Sequence, residues 1–405
     1  MRIIACLAIL FTGLLAESQT SETPVASSLP TPASTVLFTI PYGSAENQIY
    51  IESTPGPGEG EFGLGLAPVG FCVLADDSVA LVGGRPASSS HELAVQVFAQ
   101  DGQLKRFVPH PSVYTFDRTS VLLHHDGSVY YIASNVFVDY LYERPSSAPD
   151  PDHNHPDSSD TKDKPLSEKT LAISRLLTVV DAKGKVDATL TEALRDQLRS
   201  LLSARDDLWS FGDYAVVDGR GTVYISVLLA SRAGEEYAKT PLAKLSPTGA
   251  AEWVEEPPGR LVRSYDGSMA YVKFERHENP RDEAWVSAYT FVDTGGKQIA
   301  RFQAPPRASR RSLITLDPVL IRRDRLAIVS FEGTPPDKPN RAAQIPLPFQ
   351  AYYRLMVITP EGKIVHEDWV QGPPVAGSCA TDGKGNLYYL NFTDEGVEVK
   401  KISVP

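Results

Sequence analysis

The residues with the most chemistry in their spacing are Asp150, Asp152, His153, His155, Asp157 and Asp160. His-x-His flanked by carboxylates is a donor set for a divalent metal. The cluster lies within 143–169, a run of Pro, Ser, Asp and Lys with almost nothing apolar. Ordering such a run costs entropy that a weak site does not recover, so no metal is assigned to it. Gly58-Glu59-Gly60-Glu61-Phe62-Gly63 spells G-x-G-x-x-G. Pro55 and Pro57 precede it and no strand-turn-helix surrounds it, so it implies no dinucleotide site. His124-His125 ends a strand beside a tight turn and reads as a pair of turn histidines. Neither G-x-S-x-G nor H-E-x-x-H occurs.

A second set is scattered in sequence but shares a structural position. Arg85, Asn135, Arg232, Arg276, His277, Glu278, Glu332 and Asn391 each fall at the end of the second strand of a repeated unit. Mixed Arg, His, Glu and Asn suit a polar or anionic ligand. The plain alternative is a set of solvated loop residues, where charged side chains mostly sit. Cys72 and Cys379 also share a position, on the first strands of the first and last units. A disulfide between them would staple a closed ring; two buried thiols is the competing reading, because neighbouring inner strands sit far apart for bridge geometry.

The unit that places these residues is a strand, an Asp-rich turn and a second strand. It is clearest at Asp218-Gly219-Arg220-Gly221-Thr222-Val223-Tyr224-Ile225. It returns at Asp126-Gly127-Ser128, Asp266-Gly267-Ser268 and Asp382-Gly383-Lys384-Gly385, and more loosely at Asp76-Asp77-Ser78 and Arg323-Asp324-Arg325. A second tight turn follows in each unit: Asp101-Gly102, Asp181 to Gly184, Ser246 to Gly249, Asp293 to Gly296, Thr359 to Gly362 and Asp394-Glu395-Gly396. Asp, Pro and Gly supply such turns at little conformational cost. An aromatic followed by prolines then closes four units, at Phe107, Trp253, Phe302 and Trp369.

Six units of four short antiparallel strands predict an all-β, six-bladed β-propeller over residues 35–405. The units fall near 71–111, 119–187, 208–258, 260–306, 313–374 and 375–405. The last has three clear strands, and Val36–Ile40 is expected to close its sheet. A seventh blade from residues 35–68 and a pair of β-sandwiches are the alternatives. Two insertions break the pattern. Residues 143–169 are expected to be disordered. Residues 190–204 read as a helix, with Thr189 and Glu192 as a capping box, covering a propeller rim.

In a four-stranded meander the first-to-second and third-to-fourth turns share one face. The tight turns gather there, and the long insertions gather on the other. Function concentrates in long loops on a rigid scaffold, so the insertion face is the expected site.

Composition bounds the partners. The net charge of -11 argues against nucleic acid. Residues 1–18 have one Arg, a short apolar run and Ala16-Glu17-Ser18, and so read as a secretory signal. Residues 19–34 read as a flexible Ser/Thr/Pro leader. The mature chain is expected to be secreted or periplasmic, without membrane insertion.

Through its Asp-x-x-Gly-x-Val-Tyr turns the chain resembles the NHL-like and related six-bladed propellers. That resemblance implies binding modules, lactonase-like hydrolases with a channel metal, or quinone-dependent sugar dehydrogenases. The reading adopted is a non-catalytic propeller binding a protein, peptide or glycan on its long-loop face. The alternative is a metal-dependent, lactonase-like hydrolase with its site at the channel mouth. No cofactor is expected under the first reading, and a channel Ca or Zn ion under the second.

Overall fold

Most strands here are apolar on both faces, and the sheet arrangement explains why. In β3 (Val79–Arg85), Val79 and Leu81 enter one hydrophobic layer while Ala80 and Val82 enter the next. Successive side chains alternate across a sheet, so a sheet packed between two others must be apolar at every position.

The computed structural model describes residues 33–50, 70–85, 92–110, 119–133, 177–204, 208–230, 240–277, 285–305, 318–331, 352–371 and 379–404. Residues 32–405 form one compact unit. The expected signal, most of the expected leader, the Gly-rich stretch 58–63 and residues 143–169 with their His/Asp cluster lie outside the described residues. β1 begins at Ser34, the last position assigned to the leader.

The strands form a six-bladed β-propeller. Blade 1 holds β2 (Gly70–Val73), β3, β4 (Glu92–Phe98) and β5 (Leu104–Pro109). Blade 2 holds β6 (Thr119–Leu123), β7 (Val129–Ala133) and β8 (Leu177–Val180). Blade 3 holds β9 (Leu208–Val217), β10 (Val223–Ala230), β11 (Leu242–Leu245) and β12 (Glu252–Val254). Blade 4 holds β13 (Arg260–Arg263), β14 (Met269–His277), β15 (Trp285–Asp293) and β16 (Gln298–Gln303). Blade 5 holds β17 (Val319–Arg322), β18 (Arg325–Phe331), β19 (Tyr352–Ile358) and β20 (Ile364–Gln371). Blade 6 holds β21 (Cys379–Thr381), β22 (Leu387–Phe392) and β23 (Gly396–Ile402), with β1 (Ser34–Pro41) as its outer strand. The six inner strands touch in a closed circuit: β2, β6, β9, β13, β17, β21 and back to β2. Six apolar layers, one between each pair of neighbouring blades, make the core.

The expected closing strand is present. β1 pairs antiparallel with β23 from Ser34↔Ile402 to Pro41↔Gly396. Phe38 and Ile40 enter the layer between blades 6 and 1, and Ser34 Oγ donates to Asp368 at 3.4 Å.

The turn grammar has one physical origin. Nine hairpins share two backbone bonds, from the first residue's N–H to the fifth residue's carbonyl and from the fourth residue's N–H to the first residue's carbonyl. Five join the first and second strands, starting at Leu74, His124, Asp218, Ser264 and Asp382; four follow the third strand of their blades, starting at Ala99, Asp181, Asp293 and Thr359. The fourth residue is always left-handed, and in eight of the nine it is glycine, with φ of 78–89°. A side chain there is disfavoured, which fixes glycine in the repeat. Aspartate enters at either of two positions. As first residue, Asp218 accepts from Arg220 N and Thr222 N, both at 2.8 Å. As third residue, Asp126 accepts from Ser128 N at 2.7 Å. The aspartates are turn caps.

Three details correct the sequence reading. Blade 2 has three strands among the described residues. Its outer place is taken by α1 (Ala188–Ser203), whose groups satisfy the free edge of β8: Thr191 Oγ1 accepts from Val179 N at 3.0 Å, Asp187 N donates to Val179 O at 2.9 Å, and Arg195 Nε donates to Leu177 O at 2.7 Å. Leu194, Leu198 and Leu202 are buried between blades 2 and 3, so the helix is part of the wall. Its N-cap is Asp187, which accepts from Leu190 N at 2.9 Å, in place of the expected Thr189–Glu192 box; a carboxylate two residues earlier reaches the open N–H groups first. Finally, Asp394-Glu395-Gly396 joins the second and third strands of blade 6, because β1 supplies the fourth. That one tight turn therefore lies on the insertion rim.

Candidate functional site at the axial mouth

Two rims follow from the meander. The hairpins above crowd one. On the other, β3, β7, β10, β14 and β18 run out toward the long connections. Asn135, Arg232, Glu278 and Glu332 lie outside the described residues. Arg85, Arg276 and His277 end β3 and β14 on that rim, as expected, with backbone pairing only described: Arg85↔Glu92, Arg276↔Val286 and His277↔Trp285. Asn391 is described and half-buried. Its Oδ1 accepts from Gln371 N at 3.0 Å and its Nδ2 donates to Glu398 at 2.7 Å, so it ties blade 5 to blade 6.

Cys72 and Cys379 are not bridged. Strands β2 and β21 are neighbours, but the two thiols point apart. Cys72 enters the layer between blades 1 and 2, and Cys379 the layer between blades 5 and 6. The sequence put both on inner strands and could not give their phase within the pleat.

The described cavity of substantial size opens on the hairpin rim, at the propeller axis. Its volume is about 520 Å³. It is lined by the second residue of five hairpins, Ala75, His125, Gly219, Tyr265 and Gly383, together with Asp77, Arg263, Asp266, Asp382 and Lys384. The rim backbone is partly stitched between blades: Ala75 N donates to His125 O at 3.2 Å and Gly219 N to Gly267 O at 3.0 Å. At Gly219 a Cβ would stand 3.2 Å from Gly267 O, so the close approach excludes a larger residue without a shift.

Arg263 ends β13 in blade 4, yet its guanidinium lies beside the Cys72 thiol of blade 1. In a ring of six those blades are opposite, so Arg263 reaches across the axis. It hydrogen-bonds that thiol, its Nε is buried without a partner, and no carboxylate among the described residues forms an ion pair with it. Burial pushes the Cys72 thiol up, and Arg263 only partly offsets this, so Cys72 stays protonated. Burial likewise pushes the His125 imidazole down, and His124 and Arg263 push the same way. His125 is therefore neutral at pH 7, with one donor and one acceptor nitrogen. The Tyr265 hydroxyl accepts from Arg323 Nε of blade 5 at 3.3 Å.

The acids at the mouth are engaged. Asp382 accepts from Lys384 N and Asn386 N, each at 2.9 Å, and from Asn386 Nδ2 at 2.7 Å and the Tyr388 hydroxyl at 3.2 Å. Burial alone would raise its carboxyl, but these bonds hold it below the usual carboxylate range. Asp77 pairs with Lys384 across the junction of blades 1 and 6. It is also the one non-glycine left-handed residue among those described, with φ of 62°, where the equivalent turns carry glycine. Among the described residues no group of three or more His, Cys, Asp or Glu side chains is placed to hold a metal ion.

The sequence reading set this rim aside because its turns are short. The signal it passed over is the second turn residue. The first, third and fourth positions are constrained by hydrogen bonding and φ. The second is free of both within the hairpin, is restricted by the neighbouring blade at Gly219, and varies from glycine to histidine and tyrosine.

No family model matches the chain, and no curated relative does. Solved structures similar to it include a member of the duf4221 family from Bacteroides vulgatus, at 10% identity and a TM-score of 0.39, covering 83% of this chain and 92% of that one. The Malassezia sympodialis allergen Mala s 1 matches at 10% identity and 0.34, covering 82% and 92%. Trypanosoma rangeli sialidase matches at 13% identity and 0.35, covering 92% of this chain and 59% of the sialidase. The six-bladed assignment rests on the strand pairing of this chain. No helix among the described residues is long and apolar enough to cross a membrane.

Proposed function

We propose that the chain is an exported, non-catalytic binding propeller, secreted or periplasmic, and that its axial mouth on the hairpin rim receives part of a protein, peptide or glycan partner. One observation carries this reading. Where the hairpins demand nothing of the side chain, His125 and Tyr265 line a cavity that also holds Arg263, a cation with a neutral thiol beside it. The cavity falls in the range of roughly 300–1,000 Å³ usual for small-ligand sites. The insertion rim, with Arg85, Arg276 and His277, is the complementary surface for a larger partner.

The test is a screen of glycan and peptide arrays with the wild-type protein and the His125→Ala/Tyr265→Phe double variant, which keeps the Tyr265 ring packed against the layer between blades 4 and 5. The expected result is a discrete set of bound probes that the variant loses while its thermal unfolding is unchanged. Binding indifferent to both substitutions would move the site away from the mouth. Stoichiometric calcium or zinc in the purified protein, with hydrolysis of a bound probe, would replace this reading with the hydrolase one.

A further inference from the structure

We infer that the axial mouth takes a carboxylate-bearing saccharide unit, with Arg263 as the residue that reads the carboxylate. This rests on the mouth being the ligand site and goes beyond it in naming the ligand.

The charge inventory points to Arg263. Lys384 is paired with Asp77, the Asp382 oxygens accept four hydrogen bonds, and Asp266 accepts from Ser268 N at 3.0 Å and Ser268 Oγ at 2.5 Å. Arg263 alone faces a neutral thiol in place of an anion. The planar guanidinium fork matches a carboxylate through two parallel hydrogen bonds. A carboxylate at the mouth would give Arg263 the anion that the neutral Cys72 thiol does not supply.

The remaining lining points to a polyol. Neutral His125 offers one donor and one acceptor, and the Tyr265 hydroxyl is held in place by Arg323. Neighbouring hydroxyls need this mixture of donors and acceptors from side chains. A peptide that binds by strand addition needs an open strand edge. The hairpins at the mouth use their closing amides internally, and Ala75 N and Gly219 N are taken by the next blade. These hairpins do not offer such an edge.

The experiment is calorimetric titration of the full chain with trigalacturonate, its fully methyl-esterified form, and a tripeptide as free acid and as amide. Wild-type protein is expected to bind trigalacturonate at least tenfold tighter than the ester. Arg263→Gln should erase that preference and leave ester binding within about twofold; Arg263→Lys should keep part of it. Unchanged thermal unfolding of both variants shows that they are folded. Equal affinity for acid and ester in the wild type, or an acid preference that survives Arg263→Gln, overturns the role of Arg263 while leaving the mouth as a binding site. Binding of the tripeptide acid over its amide, without saccharide binding, overturns the ligand class. If no probe binds, the inference and the reading beneath it both fall.

Discussion

Asp77 occupies a turn position that the eight other hairpins of its type reserve for glycine, at a φ of 62°. Replacing it separates backbone strain from side-chain contacts. Both Asp77→Ala and Asp77→Gly remove the carboxylate and its contact with Lys384 equally. They differ in the cost of holding a Cβ in left-handed geometry, which is about 1–2 kcal/mol for an ordinary L-residue. Glycine returns part of this through the larger entropy of its unfolded chain, roughly 0.5–1 kcal/mol. The glycine variant should therefore be the more stable of the two by about 1 kcal/mol. Asp77→Asn, which tolerates this φ, should fall between them. The assay is equilibrium urea unfolding of all three at pH 7, comparing midpoints at equal slope. An alanine variant as stable as the glycine variant would refute the claim that position 77 stores strain.

Burial at His110, against the Tyr131 hydroxyl, lowers its pKa to about 4. The folded protein favours the neutral ring, so stability is complete above the unfolded value of 6.5 and falls as pH drops toward 4, by up to about 3 kcal/mol. His110→Gln should flatten that part of the profile in unfolding measured from pH 7 to 4, and an unchanged slope would count against it. Thr191→Val removes the acceptor for Val179 N at the edge of β8 and should cost about 1–2 kcal/mol in urea unfolding, leaving a buried donor unmet. A neutral substitution there would mean that α1 does not serve as the outer member of blade 2.

How far the sequence could be read depends on the range of the forces involved. The hairpins were legible because their chemistry is local: an Asp two residues before an open N–H, and a glycine where φ must be positive. Strand closure by residues 36–40 was legible because a bare edge must be covered. The replacement of a strand by α1 was not, since it depends on Thr191 and Arg195 meeting β8 in space. The directions of Cys72 and Cys379 turned on a one-residue phase that sequence spacing leaves free. The mouth escaped for a different reason. Reading repeats rewards what recurs, whereas Ala75, His125, Gly219, Tyr265 and Gly383 share a position and differ in identity.

The pairing of β1 with β23 places the most distant strands of the propeller side by side. Until Ile402 has been made, Phe38 and Ile40 have no sheet to join, and the apolar flanks of blades 1 and 6 stand open to water. A chain emerging from the ribosome thus stays an unsealed arc through nearly all of its synthesis, with its slowest contact reserved for last. The passage from arc to ring is then the step at which helpers that shield greasy surfaces matter most.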